Sequence, residues 1–197
     1  MNFLAHIYLS GNNEAITIGN FIADGIRGKK YQKYPKDIQT GILLHRQIDT
    51  FTDAHKTFRV STKRLHKNYG HYSGVIVDII YDHFLAKNWS YYSNVPLEEY
   101  IQNFYNSLRD NFEILPVRIQ KMMPYMIADN WLLSYASING IGRVLVGMNK
   151  RTQDRSQMNL AVNELQKFYN EFEDEFTHFF DELIRFSAKK LHEIKTK

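Results

Sequence analysis

The sequence predicts an all-α protein formed by one helical bundle. Only four prolines and ten glycines occur in 197 residues, so long stretches contain no residue that interrupts a helix. Within those stretches apolar residues recur three to four positions apart, as on one helix face, and they do not alternate as in a strand. The composition, 44% hydrophobic and 14% aromatic, provides a sizeable core. No linker or repeat divides the chain, and we expect a single domain over residues 1–197.

The apolar periodicity gives the order of the helices along the chain. It predicts four helices in the N-terminal half, over residues 14–25, 36–52, 58–69 and 72–88. Pro96 and Pro116 predict the starts of two more helical segments, because proline is favoured in the first turn of a helix. Pro124 predicts a kink or a break in the second of them. The remaining expected helices cover residues 131–140, residues 141–150 and, as one long amphipathic helix, most of the last forty residues.

The composition also limits the functional classes. The chain has no cysteine, which excludes disulfides, cysteine-based zinc fingers and thiol catalysis and suits a reducing compartment. Its first residues, MNFLAHIYLSGNNEA, contain no basic leader, and no segment is apolar over the roughly 18 residues that a membrane span needs. We therefore expect a cytoplasmic protein that has no contact with the membrane. The net charge of +4 favours an acidic partner, but the chain has no nucleic-acid recognition motif and we expect no nucleic acid to bind.

The segment HRQIDTFTDAH, residues 45–55, concentrates histidine and aspartate. Residues four apart on a helix lie about 40° apart around its axis, so His45 and Asp49 project from one face. Asp53 joins them if the helix continues for another turn. His55 lies well off that face unless the chain bends near residues 51–53, where threonine and aspartate compete for backbone hydrogen bonds. All four side chains are candidate metal ligands.

A second group occurs in DIIYDHFLA, residues 78–86. Asp78 and Asp82 are four positions apart, and His83 lies about 100° around the helix from Asp82. The segment is otherwise apolar, and a buried carboxylate without a partner is costly. A metal ion, an arginine or a helix N-terminus would each provide that partner. We include these three side chains among the candidate metal ligands, with a helix cap as the alternative for Asp53 and Asp78.

Two isolated polar residues in apolar stretches complete the set. Asp24 ends an apolar turn in IGNFIADGIRG, with Asn20 four residues earlier on the same face and Arg27 shortly after it. His6 lies in an N-terminal stretch that is apolar except for Asn2 and itself. Each has a structural alternative, because Asp24 could pair with Arg27 and His6 could be a core histidine whose hydrogen bonds are satisfied.

Together these groups indicate a divalent metal site. They occur in three apolar helical segments and supply carboxylate oxygen and imidazole nitrogen but no sulfur. Such ligands suit manganese, magnesium, iron or zinc in a hydrolytic site. We expect Mn²⁺ first, with Mg²⁺, Fe²⁺ or Zn²⁺ as alternatives, and the sequence leaves open whether one ion or two bind.

Four blocks in the first ninety residues form a specific combination: MNFLAHIYLS, GNFIADGIRG, GILLHRQIDTFTDAH and DIIYDHFLAKNW. In this order they resemble the acyl carrier protein phosphodiesterase family, also called acyl carrier protein hydrolase. The C-terminal half is similar only as a helical, aromatic-rich region of suitable length. The family is regarded as a divergent relative of the HD-domain metal-dependent phosphohydrolases, so the resemblance implies an HD-domain-like bundle. The usual His-Asp pair is reversed here, as Asp82-His83.

The resemblance implies a reaction on holo-acyl carrier protein. The phosphodiester joining a carrier serine to the 4'-phosphopantetheine arm would be hydrolysed, giving apo-carrier and free 4'-phosphopantetheine. A divalent metal would activate water and offset charge on the phosphoryl oxygens. It would be held by some of His45, Asp49, Asp78, Asp82 and His83.

Three further residues are candidates for catalysis. Asp24 lies in a matching block and is a candidate for a second ligand set or for a water-orienting base. Arg46 lies about 100° around the helix from His45 and is a candidate phosphate contact, with a salt bridge to a nearby acid as the alternative. His6 is the third candidate catalytic residue.

The resemblance also implies an acidic protein partner, because acyl carrier proteins are strongly acidic. Two basic runs flank the candidate site in sequence, RGKKYQKYPK at 27–36 and KTFRVSTKRLHK at 56–67. A basic surface there would steer an acidic carrier towards the site, although such runs are also common on solvated helix faces. The candidate substrate-binding residues are Arg27, Lys29, Lys30, Arg59, Lys63 and Arg64.

Two other functions are compatible with the same residues. A metal-dependent phosphohydrolase could use the same ligands on a nucleotide or another small phosphodiester. A helical module could dock an acidic protein without chemistry, in which case the acids should pair with arginines. The sequence makes no prediction of the oligomeric state.

Overall fold

A computed structural model describes residues 1–196, and within them the chain is helical with no strand. The α-helices are α1 (Phe3–Tyr8), α2 (Glu14–Ile22), α3 (Lys36–Ala54), α4 (Lys56–Tyr69), α5 (Ser73–Lys87), α6 (Trp89–Tyr92), α7 (Leu97–Asp110), α8 (Val117–Ala128), α9 (Trp131–Ser134), α10 (Ile138–Arg151), α11 (Ala161–Lys167) and α12 (Tyr169–Lys195). Short 3-10 helices cover Ala23–Gly25, Gly28–Lys33, Gly70–Tyr72, Phe112–Ile114 and Met158–Leu160. The all-α prediction is therefore confirmed. No helix within residues 1–196 combines the length and the apolar content needed to cross a bilayer.

Helices α2 and α3 cross at very short range through two glycines. A Cβ atom on Gly19 would collide with the backbone of Ile38, and one on Gly41 would collide with the carbonyl of Ile16. Both glycines therefore allow the two backbones to touch. This crossing positions the residues that follow each glycine along its helix, Asn20 on α2 and His45 on α3.

Helix α12 supplies the aromatic part of the core. Its buried face, with Phe176, Phe179 and Leu183, packs against α3, α4 and α5, where Tyr81 stands 5.4 Å from the Phe179 ring between ring centroids. The prediction of one continuous C-terminal helix is wrong in one respect. The chain leaves helical geometry at Phe168 (ψ 34°), which separates α11 from α12.

Three other predicted boundaries differ from the structure. Pro124 does not break α8, because it lies on the exposed side and removes only one backbone hydrogen bond from a helix that is otherwise intact. The helices predicted over 131–140 and 141–150 are instead α9 and α10, and α10 begins earlier because the Ser137 side chain accepts a hydrogen bond from the Gly140 amide. The short helices α1 and α6 were not predicted, because one turn or two carry too little periodicity to be recognised.

Candidate active site

Three segments bring two histidines and two carboxylates together. His6 lies on α1, His45 and Asp49 lie on α3, and Asp24 lies in the 3-10 turn that follows α2. Asp49 Oδ1 is 3.2 Å from His6 Nε2, and Asp49 Oδ2 is 3.1 Å from His45 Nε2. Asp24 Oδ1 is 3.1 Å from the same nitrogen of His45. We refer to these four residues as the histidine–carboxylate cluster.

The cluster has a buried side and an open side. The imidazole rings of His6 and His45 are buried and stacked, with centroids 4.0 Å apart and an interplanar angle of 18°. The carboxylates face solvent, with 41% of the Asp49 side chain and 72% of the Asp24 side chain exposed. A substrate would therefore reach the cluster from the carboxylate side, with the imidazoles as its floor.

Asp82 holds in place the short helix that carries His6. Its carboxylate, fully buried on α5, accepts hydrogen bonds from the backbone N–H groups of Leu4 at 2.7 Å and Ala5 at 3.3 Å. These are first-turn amides of α1, which have no acceptor within their own helix. Of the three partners that the sequence allows for this buried acid, the structure shows the helix N-terminus. Asp82 acts on the cluster through the position of α1.

Asn20 fixes the orientation of both imidazoles. Its Nδ2 donates to the carbonyl oxygen of His6 at 2.9 Å and to Ser10 Oγ at 2.9 Å. The carbonyl oxygen can only accept, so the amide nitrogen must lie on that side and Oδ1 must point the other way. There Oδ1 is 2.8 Å from His6 Nδ1 and 3.2 Å from His45 Nδ1, and the Asn20 carbonyl oxygen is 2.9 Å from His45 Nδ1.

These contacts determine which nitrogen of each ring faces the carboxylates. Because the partners of both Nδ1 atoms are acceptors, each Nδ1 must carry a hydrogen and donate it. In a neutral imidazole the other nitrogen, Nε2, then has a free lone pair. The Nε2 atoms of both rings face the side where Asp49 and Asp24 lie, and Nε2 of a neutral ring presents its lone pair there.

The two histidines have opposite proton affinities. Burial, together with the charge of neighbouring His45, lowers the pKa of His6 to about 4, so His6 is neutral at pH 7. Burial also opposes a charge on His45, but hydrogen bonds to Asp24 and Asp49 outweigh it and raise the pKa of His45 to about 9. Hydrogen bonding to His45 lowers the pKa of Asp24, and it holds the pKa of Asp49 well below its usual range despite burial. Without a metal, His45 is protonated at pH 7, and its Nε2 hydrogen lies between the carboxylates of Asp24 and Asp49.

The donor set fits a divalent metal ion. His6, His45 and Asp49 each offer one ligand atom, and these atoms lie within 4.8 Å of one another. Neighbouring ligands of an ion at about 2.1 Å are themselves about 3 Å apart, close to the spacings seen here. Buried His6 Nε2 forms no hydrogen bond of good geometry, although Asp49 Oδ1 is 3.2 Å away. With His6 neutral, two acceptors face each other, and a cation between them would relieve that repulsion.

Four other predicted metal ligands lie outside the cluster. His55 does not turn back towards His45, because α3 continues to Ala54. The Nε2 atom of His55 is 3.4 Å from Glu182 Oε2, and the His55 ring packs against Phe51 and Phe179. Asp53 is exposed. Asp78 Oδ1 is 2.9 Å from the amino group of Met1. His83 is buried between the carbonyl oxygen of Tyr135, at 2.7 Å, and the hydroxyl of Tyr169, at 2.8 Å.

Arg46 stabilises the loop that carries Asp24. Its Nη2 donates to the carbonyl oxygens of Ile26 at 3.0 Å and Gly28 at 2.8 Å, and its guanidinium lies 5.2 Å from the centre of the Tyr31 ring. The alternative salt bridge to an acid is not seen among residues 1–196. Arg46 therefore positions the turn between α2 and α3.

The predicted substrate-binding residues fall into two groups. Arg27, Lys29 and Lys30 are exposed in the segment that follows Asp24 along the chain. Lys63 and Arg59 are exposed on α4, where Arg59 Nε donates to the carbonyl oxygen of Asp53. Arg64 is different: it forms two hydrogen bonds with Glu175, at 2.7 and 2.6 Å, and its side chain is 18% exposed.

Asn20 is the residue of the site that the sequence did not single out. Helical spacing places Asn20 on the same face as Asp24 but does not predict a role for it. The available signal was a single amide side chain within the apolar turn IGNFIA. An asparagine buried there must find hydrogen-bond partners.

Comparison with known proteins identifies the family. The model of the acyl carrier protein phosphodiesterase family matches residues 1–183. The acyl carrier protein phosphodiesterase of Yersinia pestis is 29% identical over 191 residues, which are 96% of this chain and 99% of that protein. The protein of the same name from Klebsiella pneumoniae (strain 342) is 30% identical over 198 residues, with 96% and 99% covered. No solved structure matches the chain. The chain belongs to the acyl carrier protein phosphodiesterase family.

Proposed function

We propose that this protein hydrolyses the phosphodiester between the carrier serine and the 4'-phosphopantetheine arm of holo-acyl carrier protein. The products are apo-carrier and free 4'-phosphopantetheine. The observation that carries this proposal is the family match over residues 1–183, which includes every member of the histidine–carboxylate cluster. The buried imidazoles beside solvent-facing carboxylates are the kind of site in which a phosphodiester can be hydrolysed.

A divalent cation is part of the proposal, with Mn²⁺ as the first choice. His6, His45 and Asp49 would hold it, and Asp24 Oδ1 lies beside that set, 3.1 Å from His45 Nε2. When bound, such an ion lowers the pKa of water and offsets the negative charge of phosphoryl oxygens. Nitrogen and oxygen donors without sulfur also agree with Mn²⁺, Mg²⁺, Fe²⁺ or Zn²⁺.

The protein's own groups account for proton transfer and binding. Asp24 is ionised and exposed, so it can accept a proton from the water that attacks phosphorus. The bond from phosphorus to the serine oxygen then breaks, the serine oxygen takes up a proton from solvent, and Asp24 releases to solvent the proton that it accepted. Arg27, Lys29 and Lys30 lie in the loop after Asp24 and would contact the anionic substrate. Arg46 keeps that loop in position through its two backbone hydrogen bonds.

The test follows the mass of the carrier. Metal-stripped protein is incubated with a holo-acyl carrier protein, with and without added Mn²⁺, and the intact carrier is measured by mass spectrometry. We expect loss of the phosphopantetheine mass only when the metal is present. An intact carrier with Mn²⁺, Mg²⁺, Fe²⁺ and Zn²⁺ in turn would contradict the proposed function.

Substitutions of two aspartates on α3 test whether the cluster, and not the neighbouring surface, is the active site. Asp49→Asn should abolish turnover and weaken Mn²⁺ binding in calorimetry, because Asp49 contacts both histidines. Asp53→Asn, one turn further along α3 and exposed, is the matched control and should retain both properties. Loss of Mn²⁺ binding in the Asp53 variant alone would restore Asp53 as a ligand and move the site away from the cluster.

A further inference from the structure

The positive charge of the protein is concentrated in residues 117–155. This stretch contains six lysines and arginines and two aspartates, a surplus of four positive charges. The whole chain has a net charge of +4, so the residues outside the stretch are neutral overall. The basic runs 27–36 and 56–67 are therefore offset by acidic residues elsewhere, whereas helices α8 to α10 and the loop after them are not.

A cleft with basic and aromatic walls lies on the same helices. Its volume is about 400 Å³, and we call it the α8–α10 cleft. It is lined by Arg118, Lys121, Met122 and Tyr125 of α8, Trp131 of α9 and Arg151 of α10. The four α8 positions follow the spacing i, i+3, i+4 and i+7 of a single helix face. None of the lining residues is acidic.

The cations of this cleft have no acidic partner within the described chain. Arg118, Lys121 and Arg151 form no ion pair with any of residues 1–196, in contrast to Arg64. The Arg151 guanidinium lies 5.6 Å from the centre of the Trp131 ring. Tyr125 is 68% exposed. The cleft thus combines unneutralised charge with exposed aromatic surface, and aromatic residues, methionine and arginine are enriched where proteins bind partners.

Helix α8 begins beside the histidine–carboxylate cluster. A Cβ atom on Gly25, the residue after Asp24, would be 3.9 Å from the Pro116 side chain, and Pro116 immediately precedes α8. Nine residues later, at a rise of 1.5 Å per residue, Tyr125 is about 14 Å further along the helix. A protein substrate whose phosphodiester reaches the cluster is large enough to cover the cleft at the same time.

We propose that the α8–α10 cleft binds a carboxylate-rich segment of the carrier protein, next to its modified serine. This inference rests on the proposed function, because it takes the substrate of the cluster to be a protein. Charge complementarity selects the occupant: three unpaired cations favour carboxylates, and Tyr125, Trp131 and Met122 provide apolar contact between them. Attraction of this kind raises the rate of association and fixes the orientation of the partner.

The experiment compares two double charge reversals with the same change in net charge. Arg118→Glu/Lys121→Glu alters the cleft, and Arg185→Glu/Lys189→Glu alters exposed positions of α12 that do not line it. Each variant is assayed with Mn²⁺ on holo-carrier and on bis(p-nitrophenyl) phosphate, a diester too small to span the cleft. We expect KM for holo-carrier to rise at least about tenfold in the cleft variant only, with kcat and small-diester hydrolysis unchanged.

Each other outcome has a distinct meaning. Equal KM values in the two variants, raised or not, would overturn the cleft as the docking surface while leaving the proposed function intact. Normal carrier kinetics together with weaker binding of a fluorescent oligonucleotide by the cleft variant would overturn it in favour of a nucleic-acid surface. Failure of the unmodified protein to cleave holo-carrier would overturn the proposed function itself, and this inference with it.

Discussion

Asn20 Oδ1 accepts a hydrogen bond from His6 Nδ1 at 2.8 Å, and this contact determines which nitrogen of His6 faces Asp49. The amide cannot be turned around, because its Nδ2 is already used by the His6 carbonyl oxygen and by Ser10. The same amide oxygen and the Asn20 backbone hold His45. One fully buried residue therefore fixes the orientation of both imidazoles.

Replacing Asn20 should weaken metal binding. In Asn20→Ala the Nδ1 atom of His6 loses its acceptor, and the His6 ring can rotate or change tautomer, whereas His45 Nδ1 keeps the Asn20 backbone carbonyl oxygen as its acceptor. We expect the Mn²⁺ dissociation constant, measured by calorimetry, to rise by about 10–100-fold, as is typical when the hydrogen-bond partner of a ligand histidine is lost. The matched control is Asn149→Ala, which removes another buried asparagine, bound to Asp154 and Ser156. If both variants bind Mn²⁺ as tightly as the unmodified protein, Asn20 does not position the ligands.

The raised pKa of His45 predicts a pH-dependent stability in the metal-free protein. The folded-state pKa is about 9, and the unfolded value is about 6.5. Between these values the native state binds more protons than the unfolded state, so stability falls as pH rises. The contribution of His45 is complete below about pH 6.5 and is lost through about pH 9; its size is about 1–3 kcal/mol.

Urea unfolding in the presence of a chelator at pH 6.5 and pH 9.5 measures this effect. His45→Gln is the comparison, because it cannot take up the proton that Asp24 and Asp49 share. We expect the stability advantage of the unmodified protein over His45→Gln to shrink as the pH rises. A constant difference across this range would mean that His45 is not protonated in the native state.

The sequence predicted part of the cluster and could not predict the rest. His45 and Asp49 were identified together because helical spacing alone places them on one face. His6 and Asp24 were recognised as unusual residues in apolar stretches, but their contact with α3 depends on the crossing of α2 and α3 at Gly19 and Gly41. Sequence spacing gives no information about contacts between separate helices.

The partner of Asp82 shows a second reason why the sequence could not predict every contact around the cluster. A buried carboxylate required a partner, and the sequence offered three kinds without a choice among them. The partner is the N-terminus of α1, a six-residue helix that periodicity could not reveal. The fold class was predictable because it depends on composition and repeated spacing, whereas this contact depends on one short helix.

Arg64 should contribute to stability and not to carrier binding, contrary to its predicted role. Its guanidinium forms two hydrogen bonds with Glu175, which is 15% exposed, and lies over the rings of Phe168 and Phe172. Arg64→Ala leaves the Glu175 carboxylate without its counter-ion, and we expect a loss of about 3 kcal/mol in unfolding free energy. Lys63→Ala, at the exposed neighbouring position, should change it by less than about 0.5 kcal/mol. A stable Arg64→Ala variant with a raised KM for holo-carrier would instead return Arg64 to the docking surface.

Two glycine substitutions test the helix crossing that assembles the cluster. In Gly19→Ala the new methyl group would meet the backbone of Ile38, so α2 and α3 must move apart. We expect a loss of about 3 kcal/mol in unfolding free energy, because a backbone cannot yield as a flexible side chain does. Separation of the helices would also displace Asn20 from His45, and Mn²⁺ binding should weaken in the fraction that remains folded. The matched control is Gly147→Ala in α10, where the new Cβ would meet no side chain and no neighbouring helix within 4 Å. It should stabilise the protein by about 0.5–1 kcal/mol, because alanine is the better helix former. If Gly19→Ala is as stable as Gly147→Ala, the two helices do not touch at this glycine, and the contact between Asn20 and His45 must have another origin.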